Sequence, residues 1–396
     1  MITNSLKDFV ADFIKPMIPV GEESDPYADH VITLMTAGTW YEFTGDTLST
    51  LSPDPTISLD SPVTAGEWDA LRGAGFGGIF GFSGGVFFDN KLYITGGGHT
   101  DYHGNEWYAF DVPTMSWERI NWPDISASYG GAADGYQDDT SRPSSYHTYC
   151  GLSYSTTSSK LFRGGGAPSG NPSPAYTGQH WTYDVDTDEY TKLTYPTYGG
   201  YDPGGIVPGT ALCTCWDATN DRFWFITRGG LWSRDAASPT TATIRDAFWF
   251  AGIQARDDLI NLVHDRANDL LVGLGWSTTS YIWDLTLPDV PVYSASHSWT
   301  GDGAAIVDSR NLGLEYDIAN DEIIAWNGGE DIYVIDAVGL TATIESPVGA
   351  NTVTPTATHA TGANGRFRYI GQWGGKSCFI AVNSVSGSVY FYKRVA

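Results

Sequence analysis

Two histidines and an aspartate alternate in the stretch HTDYHGN, residues 99–105. Along an extended strand every second side chain points the same way. His99, Asp101 and His103 would then share one side, and imidazole with carboxylate is a donor set for a divalent cation. A mononuclear site needs a further ligand, for which His147 and His180 are the candidates. Without one, a histidine of this loop packs against its neighbours and Asp101 caps a turn. No other cofactor is expected. Tyr102 sits in the same loop as a ligand-binding candidate.

A second constellation is RPSSYHTY, residues 142–149. Arg142 could neutralise a carboxylate while Tyr146 or His147 moves a proton. That is the chemistry of β-elimination on a uronic-acid polysaccharide. Tyr146 and His147, buried at the mouth of a channel and hydrogen-bonded there, would serve packing alone. A third set lies in loops: Tyr176, Tyr198, Tyr201, Trp276, His297, Trp299 and Arg310. Aromatic faces stack on sugar C–H surfaces and polar neighbours satisfy hydroxyls; the same residue types also make protein contacts. Trp107, Trp181, Trp232 and Trp283 fall inside apolar runs and read as packing. Serine-hydrolase, P-loop and dinucleotide fingerprints are absent, and GFGGIFGFSGG precedes a strand pattern instead of a helix.

These residues need a scaffold, and composition constrains it. At 396 residues the chain exceeds one ordinary core and must be two domains or a repeat array. It has 47 glycines, 14% aromatics and only 17% charged residues, a profile of short strands and tight turns. A net charge of −25 repels phosphate backbones, so nucleic acid is excluded as a partner. No apolar run is long enough for a membrane-spanning helix. Of the four cysteines, Cys213 and Cys215 alternate on one strand, a poor geometry for a mutual disulfide, so buried thiols are expected. In residues 1–30, Leu6, Phe9, Val10, Phe13 and Ile14 have helical spacing and Pro16 stops the run. Asp8 and Asp12 argue against a signal peptide. This amphipathic helix either packs on its own domain or docks residues 1–20 on a virion or other protein partner.

A four-strand unit recurs. Its second strands start at residues 91, 160, 222, 270 and 322 in FFDNKLYITGGG, YSTTSSKLFRGGG, WDATNDRFWFITRGG, HDRANDLLVGLGW and YDIANDEIIAWNGGE. Each is followed by a strand with an aromatic and a late Asp, as in NEWYAFD, and then by a fourth, as in SWERI. The end of the chain supplies three more strands, RFRYIGQW, KSCFIAVNS and GSVYFYKRV. GTWYEFTG, residues 38–45, has the alternation of the missing fourth. The pattern predicts an all-β, six-bladed propeller over residues 31–396, its ring closed by the N-terminal strand in the last blade. With its glycine pairs, the chain resembles the kelch-repeat propellers, the superfamily that includes the propeller of galactose oxidase. That resemblance raises copper radical chemistry, but Cys150, near Tyr146 and Tyr149, lies in a strand run and no ligand constellation accompanies it.

In such a fold the inter-blade and strand two–three loops emerge on one face, and here they are long and rich in Tyr, Trp, His, Arg and Asp. That face is expected to carry function. The expected function is recognition of a glycan, such as a cell-surface polysaccharide, or of a protein, by a non-enzymatic module. The composition suggests a bacteriophage tail fibre, spike or decoration protein, placed on a virion or outside the cell without a signal peptide. The alternatives are a polysaccharide lyase or related depolymerase using Arg142, Tyr146, His147 and the His99–His103 loop, and a cytoplasmic kelch-type scaffold.

Overall fold

The computed structural model describes residues 27–73, 75–97, 102–123, 142–143, 145–164, 180–184, 187, 189–193, 213–227, 230–240, 242–246, 260–276, 279–289, 291–295, 297–310, 312–359 and 362–396. The expected helix over Leu6 to Ile14 lies outside them, as do His99, Asp101, Tyr176, Tyr198 and Tyr201.

The fold is a six-bladed β-propeller of four-stranded antiparallel sheets. Blade 1 consists of Gly85–Phe88, Lys91–Thr95, Trp107–Asp111 and Ser116–Arg119. Blades 2 to 5 repeat this order from Leu152–Ser155, Cys213–Asp217, Asn261–Asp265 and Gly313–Asp317. Blade 6 combines Phe367–Trp373, Lys376–Val382 and Val389–Lys393 with Thr39–Phe43 from the other end of the chain. In that closure Trp40 pairs with Tyr392, Tyr41 with Phe391 and Glu42 with Tyr390. The first strands of neighbouring blades touch in a complete cycle, blade 6 meeting blade 1. They therefore line an axial channel. The second strands of blades 1 to 5 begin at Lys91, Lys160, Arg222, Leu270 and Glu322, where the repeat places them.

Each blade is covered on both sides by its neighbours, which is why its inner strands do not alternate between apolar and polar. Trp107–Asp111 is buried at four of five positions, whereas the outer strand Glu189–Leu193 buries only Leu193. Flat rings fill the gaps between blades. Trp107 stacks on Tyr183, Phe162 on Phe223 and Trp326 on Phe367, with centroids 5.2, 5.1 and 5.6 Å apart. Trp107, Trp181, Trp232 and Trp283 are all buried, as packing residues.

Turn chemistry explains the rest of the repeat. The late Asp of the third strand accepts backbone N–H bonds from the turn that follows. Asp111 accepts from Thr114, Asp235 from Ala237, Asp284 from Thr286 and Asp336 from Gly339. In the strand one–two turns Asp217, Asp265 and Asp317 each bind the Asn three residues on. The residue just before the second strand is left-handed: Asn90, Ser159, Asp221, Asp269 and Asp321 have φ between 47° and 57°. Asn and Asp tolerate that conformation better than most residues. The glycine pair after the second strand has a steric reason at Gly97, where a Cβ would lie 2.3 Å from the Tyr102 carbonyl oxygen.

One segment departs from the repeat. Between Phe43 and Gly85 the chain forms a short helix, Ala65–Leu71, and two 3-10 turns, Leu48–Leu51 and Phe76–Phe80. Its Leu48, Phe76, Ile79 and Phe80 join the hydrophobic cluster shared by blades 1 and 6. A capping box starts the helix: Glu67 N donates to Thr64 Oγ1, and Thr64 N donates to Glu67 Oε2.

Candidate functional site

The first strand of every blade sends alternate side chains into the channel, and the strand one–two turns rim one end of it. There the structure has a cavity of about 390 Å³. All six blades line it, and Asp89, Asn90, Arg266 and Ile318 come from the turns. Toward the opposite end, that of the inter-blade loops, the described residues converge closely. Gly84 passes so close that a Cβ would lie 1.9 Å from the Tyr149 carbonyl oxygen. The Sγ atoms of Cys150 and Cys213 face each other at 3.3 Å, both against the Ile260 carbonyl oxygen. The fully buried Arg366 donates to the carbonyls of Ser83, Gly362 and Val382 beside them. The described cavity thus opens on the turn face, opposite the loops on which the sequence focuses attention.

Arg368 forms the floor of the cavity. From blade 6 its Nη1 donates to Glu315 Oε2 of blade 5 at 2.9 Å, while Nη2 donates to Gly85 O of blade 1 at 2.7 Å. Its charge is therefore satisfied. Arg266 at the mouth is different. Among the described residues it makes no ion pair or hydrogen bond. Its guanidinium carbon stands 5.6 Å from the ring centre of Trp216 and 5.9 Å from that of Tyr316. Both rings are fixed from behind. Trp216 Nε1 donates to Asp221 Oδ1 at 3.0 Å, and Tyr316 OH donates to Asp321 Oδ1 at 3.2 Å.

Burial pushes the Tyr316 and Tyr369 phenols up to about 12, so both are protonated at neutral pH. Burial, aided by the charges of Glu315 and Asp217, pushes the Cys215 thiol well above its ordinary value. The cavity thus presents aromatic faces, a neutral thiol, the side chains of Asp89, His264 and Glu315, and Arg266, which has no ion pair among the described residues.

His264 in the cavity wall belongs to a group of possible metal donors with Asp217 and Asp269. Its Nε2 is 3.1 Å from Asp269 Oδ1, and its Nδ1 is 3.6 Å from Asp217 Oδ1. Asp217, however, already accepts from Thr219 N, Asn220 N, Asn220 Nδ2 and Trp224 Nε1. The arrangement braces the turn of blade 3 against blade 4.

Those residues singled out by sequence that the structure describes fall elsewhere. Tyr102 is wholly buried and donates to Glu106 Oε1 at 2.5 Å; His103 is buried, and its N–H donates to Leu71 O. Arg142 Nη1 donates to Trp122 O at 3.2 Å. Tyr146 is buried under the guanidinium of Arg163, 4.0 Å from its ring centre, and burial pushes its phenol up to about 12. His147 is buried against Phe82 and meets Tyr149 OH at 3.2 Å. The described contacts thus hold Arg142, Tyr146 and His147 against different partners. His297 and Trp299 do come together: Ser280 Oγ lies 3.0 Å from His297 Nδ1 and accepts from Trp299 Nε1 at 2.8 Å. Arg310 is exposed, and Trp276 ends the second strand of blade 4.

Sequence reasoning missed Arg266, although a signal existed. In the repeated turns of blades 3, 4 and 5 the residue after the strand-ending Asp is Ala218, Arg266 and Ile318. The arginine is the outlier of an otherwise plain repeat.

No family model matches the chain, and no curated protein matches it. Among solved structures it is similar to a structural genomics protein of unknown function from Bacteroides thetaiotaomicron VPI-5482. The match has a TM-score of 0.44 at 10% identity, over 77% of this chain and 67% of that one.

Proposed function

We propose that the protein is a recognition module that takes the end of an acidic glycan into its axial channel from the turn face. The observation that carries this reading is Arg266, an unpaired guanidinium held beside Trp216 and Tyr316 at the mouth of the cavity. A sugar ring offers C–H faces to the aromatics, and a uronate carboxylate would complete the charge pair that Arg266 lacks among the described residues. A volume of about 390 Å³ is at the lower end of small-molecule sites, suited to one or two sugar residues. A net charge of −25 opposes a long polyanion lying along the protein and so favours contact at a chain end. We extend the reading to display on a virion, as a fibre, spike or decoration protein, which the composition suggests.

Calorimetric titration with a panel of neutral and acidic oligosaccharides tests it. An acidic member binds, and Arg266→Ala weakens that binding at least tenfold, as expected for loss of a charge-assisted pair. Equal affinity of the variant would remove the basis of the proposal. Ultraviolet-absorbing unsaturated ends in the same mixtures, abolished by His147→Ala, would instead make the protein a lyase.

A further inference from the structure

The loop end of the channel holds two thiols that the recognition reading does not use. Cys150 precedes the first strand of blade 2, and Cys213 opens that of blade 3. Their backbones form a parallel bridge, and Thr214 N donates to Cys150 O at 3.0 Å. Bridged strands lie about 4.8 Å apart, within the Cα spacing that a disulfide spans. The two Sγ atoms are 3.3 Å apart, and both residues are buried, 63 positions apart in sequence. We propose that Cys150 and Cys213 are a cross-linking site whose disulfide ties blade 2 to blade 3 across the loop end of the channel.

The surroundings assign roles to the two sulfurs. Arg366 is fully buried beside Cys150, and the hydrogen-bond acceptors it reaches are carbonyl oxygens of Ser83, Gly362 and Val382. Burial draws its guanidinium down to about 9, and a charge on Cys150 acts in the opposite direction. The guanidinium of Arg366 lies beside Cys150, where it favours negative charge developing on that sulfur, which makes Cys150 the attacking sulfur. The oxidant is a low-molecular-weight disulfide. The Cys150 thiolate attacks one of its sulfurs; a mixed disulfide forms and one thiolate leaves. Cys213 gives its proton to that thiolate and attacks the Cys150 sulfur. The protein disulfide forms and the second thiolate leaves, taking the proton that Cys150 had released. The two cysteines lose two protons and two electrons, and the oxidant becomes two thiols.

The other two cysteines have no such setting. Cys215 points along the channel wall with its thiol held protonated by burial and by the charges of Glu315 and Asp217. Cys378 lies in the second strand of blade 6, where burial pushes its thiol up to about 12.

The test uses the full chain incubated with oxidised glutathione, in buffer and in urea just below the unfolding transition, where local opening admits the oxidant. Expected are a loss of two hydrogens by intact mass, a fall in denatured thiol titre from four to two, and one non-reduced peptide pair joining Cys150 to Cys213. The oxidised protein melts several degrees higher, because the cross-link restricts the unfolded chain, and reductant reverses the shift. Cys215→Ala retains the mass loss and the Cys150–Cys213 peptide pair, and its thiol titre falls from three to one. Cys150→Ala loses them. Four thiols persisting under both conditions, or a peptide pair that joins Cys213 to Cys215 or Cys378, overturns the proposal; wild-type peptide mapping decides this even if a cysteine variant fails to fold.

Discussion

Glu106 is a carboxyl enclosed by the protein. Its Oε1 accepts from Tyr102 OH at 2.5 Å and from Tyr108 OH at 2.6 Å, while Oε2 is buried with no partner among the described residues. Gly104 is required above it, because a Cβ there would come within 2.2 Å of Oε2. Burial raises the pKa of Glu106, the two tyrosines opposing it. A carboxyl with a raised folded pKa contributes stability that is fully present below the unfolded value of about 4.3 and is lost as pH rises through the folded value. Urea denaturation across that range should show wild type losing stability relative to Glu106→Gln as pH rises; a difference that grows in the other direction would contradict the assignment. Arg394 has the opposite character. It is buried and ion-paired at 2.7 Å to each of Asp317, Glu322 and Glu345. Arg394→Met strands the buried Asp317 and should cost about 3–5 kcal/mol in denaturant unfolding. Neither role was legible in sequence. Tyr102 stood out as a ligand-binding residue because it lies in a loop with two histidines, but the packing of Phe76 and Trp68 against its ring puts it in the core. A residue's type reports what it can do, whereas its burial depends on segments far from it in the chain.

At the scale of elements, the repeat was legible because blades 3, 4 and 5 solve the same turn problem with the same atoms and blades 1 and 2 with close variants. An Asp that caps and an Asn or Asp that accepts positive φ recur at fixed offsets, so the second strands could be located to the residue. The closing strand was legible from its alternating aromatics alone. Trp40 is buried against Trp326 and Tyr392, and its Nε1 donates to Glu330 O at 2.7 Å. Trp40→Ala should therefore destabilise the whole protein by about 3–5 kcal/mol, read from the denaturation midpoint, although the residue lies outside the blade repeat proper. The segment between Phe43 and Gly85 was missed because it has no counterpart in other blades. Its one local mark is Thr64 followed three residues later by Glu67, which a search for repeats passes over.

At the scale of the molecule, the ring makes each blade a wall for two others and joins the two ends of the described chain in one sheet. A single cooperative thermal transition is expected, with calorimetric and van't Hoff enthalpies in agreement; separate transitions would mean that blades unfold independently. The repeat implies a ring, but not which end of its channel the described residues leave open. That depends on how closely Gly84, Cys150, Cys213 and Arg366 converge when six strands meet, a property of the assembled ring. The loops drew attention through their length and residue types, while the proposed site lies at short turns, where an arginine stands at the position of a small or apolar residue in blades 3 and 5. The decisive measurement is therefore one titration series with an acidic oligosaccharide, comparing wild type, Arg266→Ala at the turn face and Arg310→Ala on the loop side of blade 5. The account predicts at least a tenfold loss of affinity for Arg266→Ala and none for Arg310→Ala. Full affinity in the first variant with loss in the second would place recognition on the other face and contradict it.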